Sequence, residues 1–189
     1  EKKILKNVIE LAPGEQLDFR ECSIKFHNAG HVLGSVQVEL VLGDSRIVYT
    51  GDFNLQARII LKPAEIIDSD ILIIEATYGH PRYTFPSRIM MYKQVLELVK
   101  DYTEIGVKIF GRVLGTAQEL TALLAFSKIN ILPEVHPSIA KINRIYEIYG
   151  ENLGTYKVLP KQLSSSRGPA IMPLLGKIEE YPGRQALVC

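Results

Sequence analysis

Only two cysteines occur in the 189 residues, Cys22 and Cys189. They lie far apart and make no CxxC or finger-type spacing, which argues against a disulfide-stapled secreted scaffold and suits a reducing cytoplasm. No apolar run approaches the ~20 residues of a membrane-spanning helix, and no basic-then-apolar leader is present, so membrane and export readings fall away. Charge of one sign is also missing: the formal net charge is +1. No overall field draws in nucleic acid, and any such partner would need a local basic groove. Internal repeats and long low-complexity tracts are absent. The sequence does contain 47% hydrophobic residues, enough at this length to bury a normal core in one sizeable domain or two small ones. The chain opens on Glu1 rather than Met and ends on Ala186-Leu187-Val188-Cys189, which reads like a strand cut short, so a piece of something longer is expected.

The most informative stretch is Phe26-His27-Asn28-Ala29-Gly30-His31-Val32-Leu33-Gly34-Ser35, which sets His31 on a glycine-flanked corner between two runs that read as strands. Tyr49-Thr50-Gly51-Asp52-Phe53-Asn54 and Ile74-Glu75-Ala76-Thr77-Tyr78-Gly79 repeat the arrangement, each an apolar strand ending in a carboxylate beside a glycine. One sheet edge is therefore expected to gather His31, Asp52 and Glu75.

Along the chain, short apolar stretches flank the turn Ala12-Pro13-Gly14-Glu15, and Ser23 to His27 alternates like a half-buried strand. Val36 to Leu42 and Arg46 to Thr50 around Gly43-Asp44-Ser45 read as a hairpin. After a loop from Leu55 to Asp70, the unbroken run Ile71-Leu72-Ile73-Ile74 reads as a strand covered on both faces. The texture then changes near residue 80. Ser87 to Asp101 has helical spacing with Ser87 as N-cap, and the Met90-Met91 pair within it reads as core packing. Strand and helix then alternate: Val107 to Phe110, Gly115 to Lys128, Ile131 to Val135, and Ser138 to Tyr149 ended by Gly150. Tyr156 to Leu159 and Pro169 to Met172 add strands on either side of the polar loop Ser164-Ser165-Ser166-Arg167. The pattern predicts an α/β (α+β) chain: residues 1–80 an antiparallel domain carrying the corners, residues 81–189 a parallel α/β domain.

Imidazole and carboxylate on rigid strand ends are what a divalent metal takes, and a hydrolytic two-metal site needs a carboxylate able to bridge. His31 and Asp52 suit those parts, although spacing alone is a weak argument, since a histidine beside glycine is often a satisfied turn residue and an aspartate after Thr-Gly often an Asx-turn residue. The combination is more specific than its pieces. The three segments around His31, Asp52 and Glu75, in this order, resemble the third and fourth metal motifs and motif A of metallo-β-lactamase fold nucleases with a β-CASP domain. Phe110-Gly111-Arg112-Val113-Leu114-Gly115-Thr116-Ala117-Gln118-Glu119 resembles the β-CASP segment ending in alanine, glutamine, glutamate. Pro81-Arg82-Tyr83-Thr84-Phe85-Pro86 and the stretch from His136 to Asn143 are similar to the DNA-ligase-associated exonucleases, with the archaeal RNA 3′-end-processing branch as near neighbour.

The resemblance implies zinc, two ions in the complete family site, with His31 as ligand to one, Asp52 bridging both, and Glu75 orienting a histidine that protonates the leaving group. The reaction implied is attack of a metal-bound hydroxide on a phosphodiester phosphorus. Expected partners are DNA or RNA, a DNA ligase or helicase by resemblance, and a second copy of the chain, in the cytoplasm; DNA repair and RNA processing are both open. Arg82, Arg88 and Arg112 are candidate phosphate contacts. His136 is either a substrate contact or a rim or cap residue, and Gly115 either presents its N–H to phosphate or serves a tight turn. The family's HxHxDH signature is missing, since none of the four histidines makes an HxH pair, and its later histidine motifs are missing too. A partial metal site is therefore expected, with a non-catalytic scaffold of the same fold as the rival reading.

Overall fold

The computed structural model describes residues 8–102, 106–129, 131–160 and 168–174, and the backbone of 184–187. The expected loop at Ser164 to Arg167 and the thiol of Cys189 lie outside these residues. The chain forms two units, one of Glu1–Ala57 with Leu61–Tyr83, the other of Arg58–Ile60 with Thr84–Cys189.

The first unit holds a sheet in the order β1 (Gln16–Asp18), β2 (Cys22–Asn28), β3 (Val36–Leu42), β4 (Ser45–Tyr49), β5 (Ile71–Ile73). The first four run antiparallel to their neighbours, and β5 is parallel to β4. The β3–β4 hairpin closes at Leu42 opposite Ser45, where a loop-forming composition interrupts two alternating runs. Among the described apolar side chains of this unit, only Ala29, Val48 and Ala64 are fully buried. Ile71 to Ile74, expected to be covered on both faces, are instead 51–52% exposed. The apolar run reports a strand, and among the described residues it is an edge strand, paired with β4, whose faces are left half exposed.

A polar ladder crosses this sheet. The buried His27 on β2 meets Glu39 of β3 through Nε2 at 2.6 Å and Glu65 through Nδ1 at 3.0 Å, while Arg46 of β4 reaches the other Glu39 oxygen at 2.9 Å. One line of polar side chains thus runs from Glu65 through His27 and Glu39 to Arg46, joining four segments of the unit.

The second unit is a parallel sheet in the order β10 (Arg184–Leu187), β6 (Val107–Gly111), β9 (Ala170–Pro173), β7 (Glu134–Val135), β8 (Lys157–Val158), with helices α1 (Arg88–Asp101), α2 (Thr116–Ala125) and α3 (Pro137–Ile148). Alternate residues of β6 and β9 face opposite ways. Ile109 and Ile171 join Val99 of α1, Leu120, Leu123 and Leu124 of α2 and Ile139 of α3 in one core, whereas Phe110 and Met172 pack with Leu159 and Ala170 in another. A parallel strand buried on both faces is the expected result. Ser87 caps α1 by accepting from the Met90 N–H, yet Met90 itself is exposed; helical spacing turns it away from Val99, so it is not core. The strand expected over Ile131 to Val135 forms only at Glu134–Val135.

The excursion Arg58–Ile60 is tied into the second unit by Glu119 of α2. Its Oε1 accepts from the Ile59 N–H at 2.8 Å and from the Tyr92 hydroxyl of α1. Burial and the neighbouring Arg88 lower the pKa of Arg58, against the opposing pull of Glu119.

Candidate functional site

The loop carrying His31 is built by short-range hydrogen bonds. Ser35 Oγ accepts from both the His31 and Val32 N–H groups at 3.1 Å and donates to the Val32 carbonyl at 2.8 Å, so one hydroxyl satisfies the corner that the strands cannot. Behind it, Asn28 donates to the carbonyls of Lys62 and Pro63 and accepts from the Gly30 N–H. The Asn54 N–H donates to Ala29 and the Ala64 N–H to Asn54, which packs three backbone segments against Gly30.

Asp52 follows β4 and Glu75 follows β5. Because β4 and β5 are parallel, with Tyr49 opposite Ile73, their ends emerge side by side. The Thr50 N–H donates to Ile73, and the Glu75 N–H donates to the Thr50 hydroxyl. His31 Nε2 comes to 3.7 Å from Asp52 Oδ2. The Glu75 carboxylate accepts from the Thr77 N–H at 3.0 Å. Hydrogen bonds from Thr77, then from the Phe53 backbone, together with the charge of His31, lower the Glu75 pKa. Thus His31, Asp52 and Glu75 do share one end of the sheet.

The chemistry of this donor set, an imidazole nitrogen and a carboxylate oxygen, is that of a zinc ligand pair. Its number is not sufficient: among the described residues no group of three or more His, Cys, Asp or Glu side chains could hold a metal ion, whereas a catalytic zinc takes three protein ligands. The pair fits a part of such a site and does not complete one.

Arg82 lies in the exposed loop after Glu75, with its guanidinium over the Tyr83 ring at 4.7 Å. The other anticipated contacts belong to the second unit. Arg112 is exposed, and its carbonyl accepts from the Ala117 N–H. Gly115, at φ +88° ahead of α2, is buried, and its N–H donates to Gln118 Oε1 at 2.8 Å; that N–H is committed within the fold. His136 caps α3, its Nδ1 accepting from the Ser138 N–H, and burial lowers its pKa.

Gln118 and Glu119 were legible only as part of a resemblance, and the fold gives each a physical task. Gln118 Nε2 donates to the Val113 carbonyl at 3.1 Å and to Asn143 Oδ1 at 2.9 Å. With its carboxamide fully buried, Gln118→Ala would orphan three partners, Val113 and Gly115 in the turn before α2 and Asn143 on α3. We expect a loss of about 2–3 kcal/mol in urea unfolding, against under about 1 kcal/mol for Arg112→Ala on the surface.

Acid should loosen the first unit. The hydrogen bond from His27 and then that from the Asn28 N–H hold the Glu65 carboxyl below its ordinary value of 4.5, and Glu75 is lowered likewise. A depressed carboxylate contributes stability above the unfolded value and loses it as pH falls through the folded one. Unfolding midpoints should therefore fall below about pH 4.5, and Glu65→Gln should flatten that dependence.

Among the described residues, no helix is long and apolar enough to cross a membrane. No family model matches the chain. Among curated proteins, it is 30% identical over 173 residues to a "Probable DNA ligase" of Opitutus terrae, covering 90% of this chain and 16% of that protein. It is 39% identical over 104 residues to an "RNase J-like protein" of Methanocaldococcus jannaschii, covering 53% and 25%. A "Transcription termination factor FttA" of Lokiarchaeum is 35% identical over 130 residues, with 65% and 20% covered. The chain thus spans a quarter or less of the length of these relatives. A crystal structure of a protein of unknown function from Enterococcus faecalis superposes with TM-score 0.63 at 13% identity, over 95% of this chain and 47% of that one, a likeness of fold. With the corner motifs set on an antiparallel sheet, a separate parallel α/β unit, and relatives bearing these names, the chain belongs to the metallo-β-lactamase/β-CASP family as one region of it.

Proposed function

We propose that the chain is the central part of a zinc-dependent nuclease hydrolysing DNA or RNA phosphodiesters, with His31 and Asp52 as two of the metal's donors. The observation that carries this reading is the 3.7 Å approach of the His31 imidazole to the Asp52 carboxylate at adjoining strand ends. Bound metal would supply Lewis acidity toward a phosphoryl oxygen. The chain's own residues hold the geometry: Ser35 fixes the His31 corner, the parallel β4–β5 pair fixes Asp52 beside Glu75, and Thr77 keeps Glu75 ionised. An ionised Glu75 is suited to orienting the histidine that protonates the leaving oxygen. The relatives named for RNase activity and for a DNA ligase support nucleic acid as the substrate and a ligase association.

The test pairs elemental analysis with cleavage assays on single-stranded and duplex DNA and RNA. This chain alone, with two of the donors, should hold zinc weakly or not at all. In the longer protein of which the chain is the proposed central part, we expect bound zinc, with cleavage lost on chelation and regained with zinc. Metal-free protein that cleaves none of the four substrates would leave the scaffold reading in its place.

A further inference from the structure

From Ile74 to Ser87 the chain is a loop without helix or strand, and yet the part beyond Glu75 is closely built. The Gly79 N–H donates to the Ala76 carbonyl and the Tyr83 N–H to the His80 carbonyl, both at 3.0 Å, while His80 Nδ1 accepts from the Arg82 N–H at 3.1 Å. These turns bring Tyr78 and Tyr83 edge to face, with ring centroids 5.5 Å apart and planes at 78°. Arg82 lies over the Tyr83 ring and donates to its hydroxyl at 2.7 Å. Tyr78 is nevertheless 55% exposed and Tyr83 40% exposed. Large rings held in a fixed pose at the surface form an apolar platform whose ordering cost has already been met in folding. Charge selects the occupant: within the first unit, from Ala76 to Tyr83 the loop carries Arg82 and His80 and no Asp or Glu.

We propose that Tyr78, Tyr83 and Arg82 form a stacking site for an unpaired base of a single-stranded nucleic acid, the rings taking the base and the guanidinium the adjoining phosphate. A π-face accepts any base, so the site is sequence-tolerant, while a base locked in a duplex is not available to it. The inference deepens the nuclease reading by assigning the group that presents a strand to the Glu75 corner, and rests on that reading only for its biological sense.

The experiment is fluorescence anisotropy of end-labelled 12-mers with the protein in EDTA, where binding is read without cleavage. Single strand should bind more tightly than duplex of the same sequence. Tyr83→Ala and Tyr78→Ala should each weaken single-strand binding about 5- to 100-fold, with Tyr83→Phe near wild type. Arg82→Gln should lower the salt dependence by about one phosphate contact, which the tyrosine variants should leave unchanged. An abasic oligonucleotide should weaken wild type and leave Tyr83→Ala unaffected, a readout that requires no folding comparison. Both alanine variants binding within twofold of wild type, or equal affinity for intact and abasic strands, would overturn the stacking site. Cleavage lost by Asp52→Asn with stacking absent sinks this inference alone; stacking present without cleavage by wild type sinks the nuclease reading alone.

Discussion

In the longer protein proposed above, Asp52→Asn should reduce phosphodiester cleavage by more than about 100-fold, the size of loss typical for removing a mere outer partner of a metal ligand, while leaving the unfolding stability within about 0.5 kcal/mol of wild type. The two halves of that expectation come from one geometry. Asp52 sits past the end of β4, largely exposed and 3.7 Å from His31 Nε2, so the fold asks little of its charge. In the proposed site the charge matters most, because a neutral amide is a poorer ligand to zinc than a carboxylate and is unsuited to bridging two ions. Zinc content measured alongside should fall with activity. Retained cleavage with unchanged zinc would remove Asp52 from the proposed donor set; a large fall in stability would show that the residue serves the corner rather than the chemistry.

Gly30→Ala should cost the first unit about 4 kcal/mol or more, the largest stability effect of any single methyl we can place. Gly30 has φ +65°, and a Cβ there would stand 2.6 Å from both the Ala64 N and the Asn54 O and 2.9 Å from the Lys62 O. All three are backbone atoms, so no rotamer change relieves the clash. Gly34 is the control. It too has positive φ, at +80°, but an added Cβ would meet nothing within 4 Å, which predicts about 1 kcal/mol from backbone strain alone. Urea titrations of the pair separate crowding from conformation. Equal losses at the two positions would mean that the segments around Gly30 part without cost.

Much of the fold was legible because its signals are local. Alternation around Gly43-Asp44-Ser45 predicts the β3–β4 hairpin, and Ser87 ahead of a helical apolar pattern predicts the start of α1. That His31 and Asp52 meet follows from strands ending at one edge. Misreadings arise where the deciding partner is distant or unusual. Ile71 to Ile74 says strand, but what packs against its two faces is a property of the fold and not of the run. His136 caps α3 with an imidazole, a residue outside the usual Ser, Thr, Asp and Asn set, so the helix seemed to start at Ser138; Pro137 at its first position was the available clue. Gly115 between a strand and a helix suggests a free N–H, yet Gln118 takes it. Glu119 meets an amide sixty residues away, and no window of sequence reports that. The Ser35 hydroxyl, by contrast, was visible only as a letter of the motif, though an ST-turn three residues after a corner is a recognisable device.

The detour at Arg58–Ile60 sets a rule for anyone dividing this protein. A fragment beginning at Thr84 is contiguous and looks like a module, but it omits the Ile59 amide and leaves the buried Glu119 carboxyl with the Tyr92 hydroxyl in place of two donors. Such a fragment should be less stable than one that carries the missing tripeptide, by about 1–3 kcal/mol. Recombination between relatives meets the same constraint, because breakpoints that respect sequence order alone would separate a carboxylate from the strand of chain inherited with it.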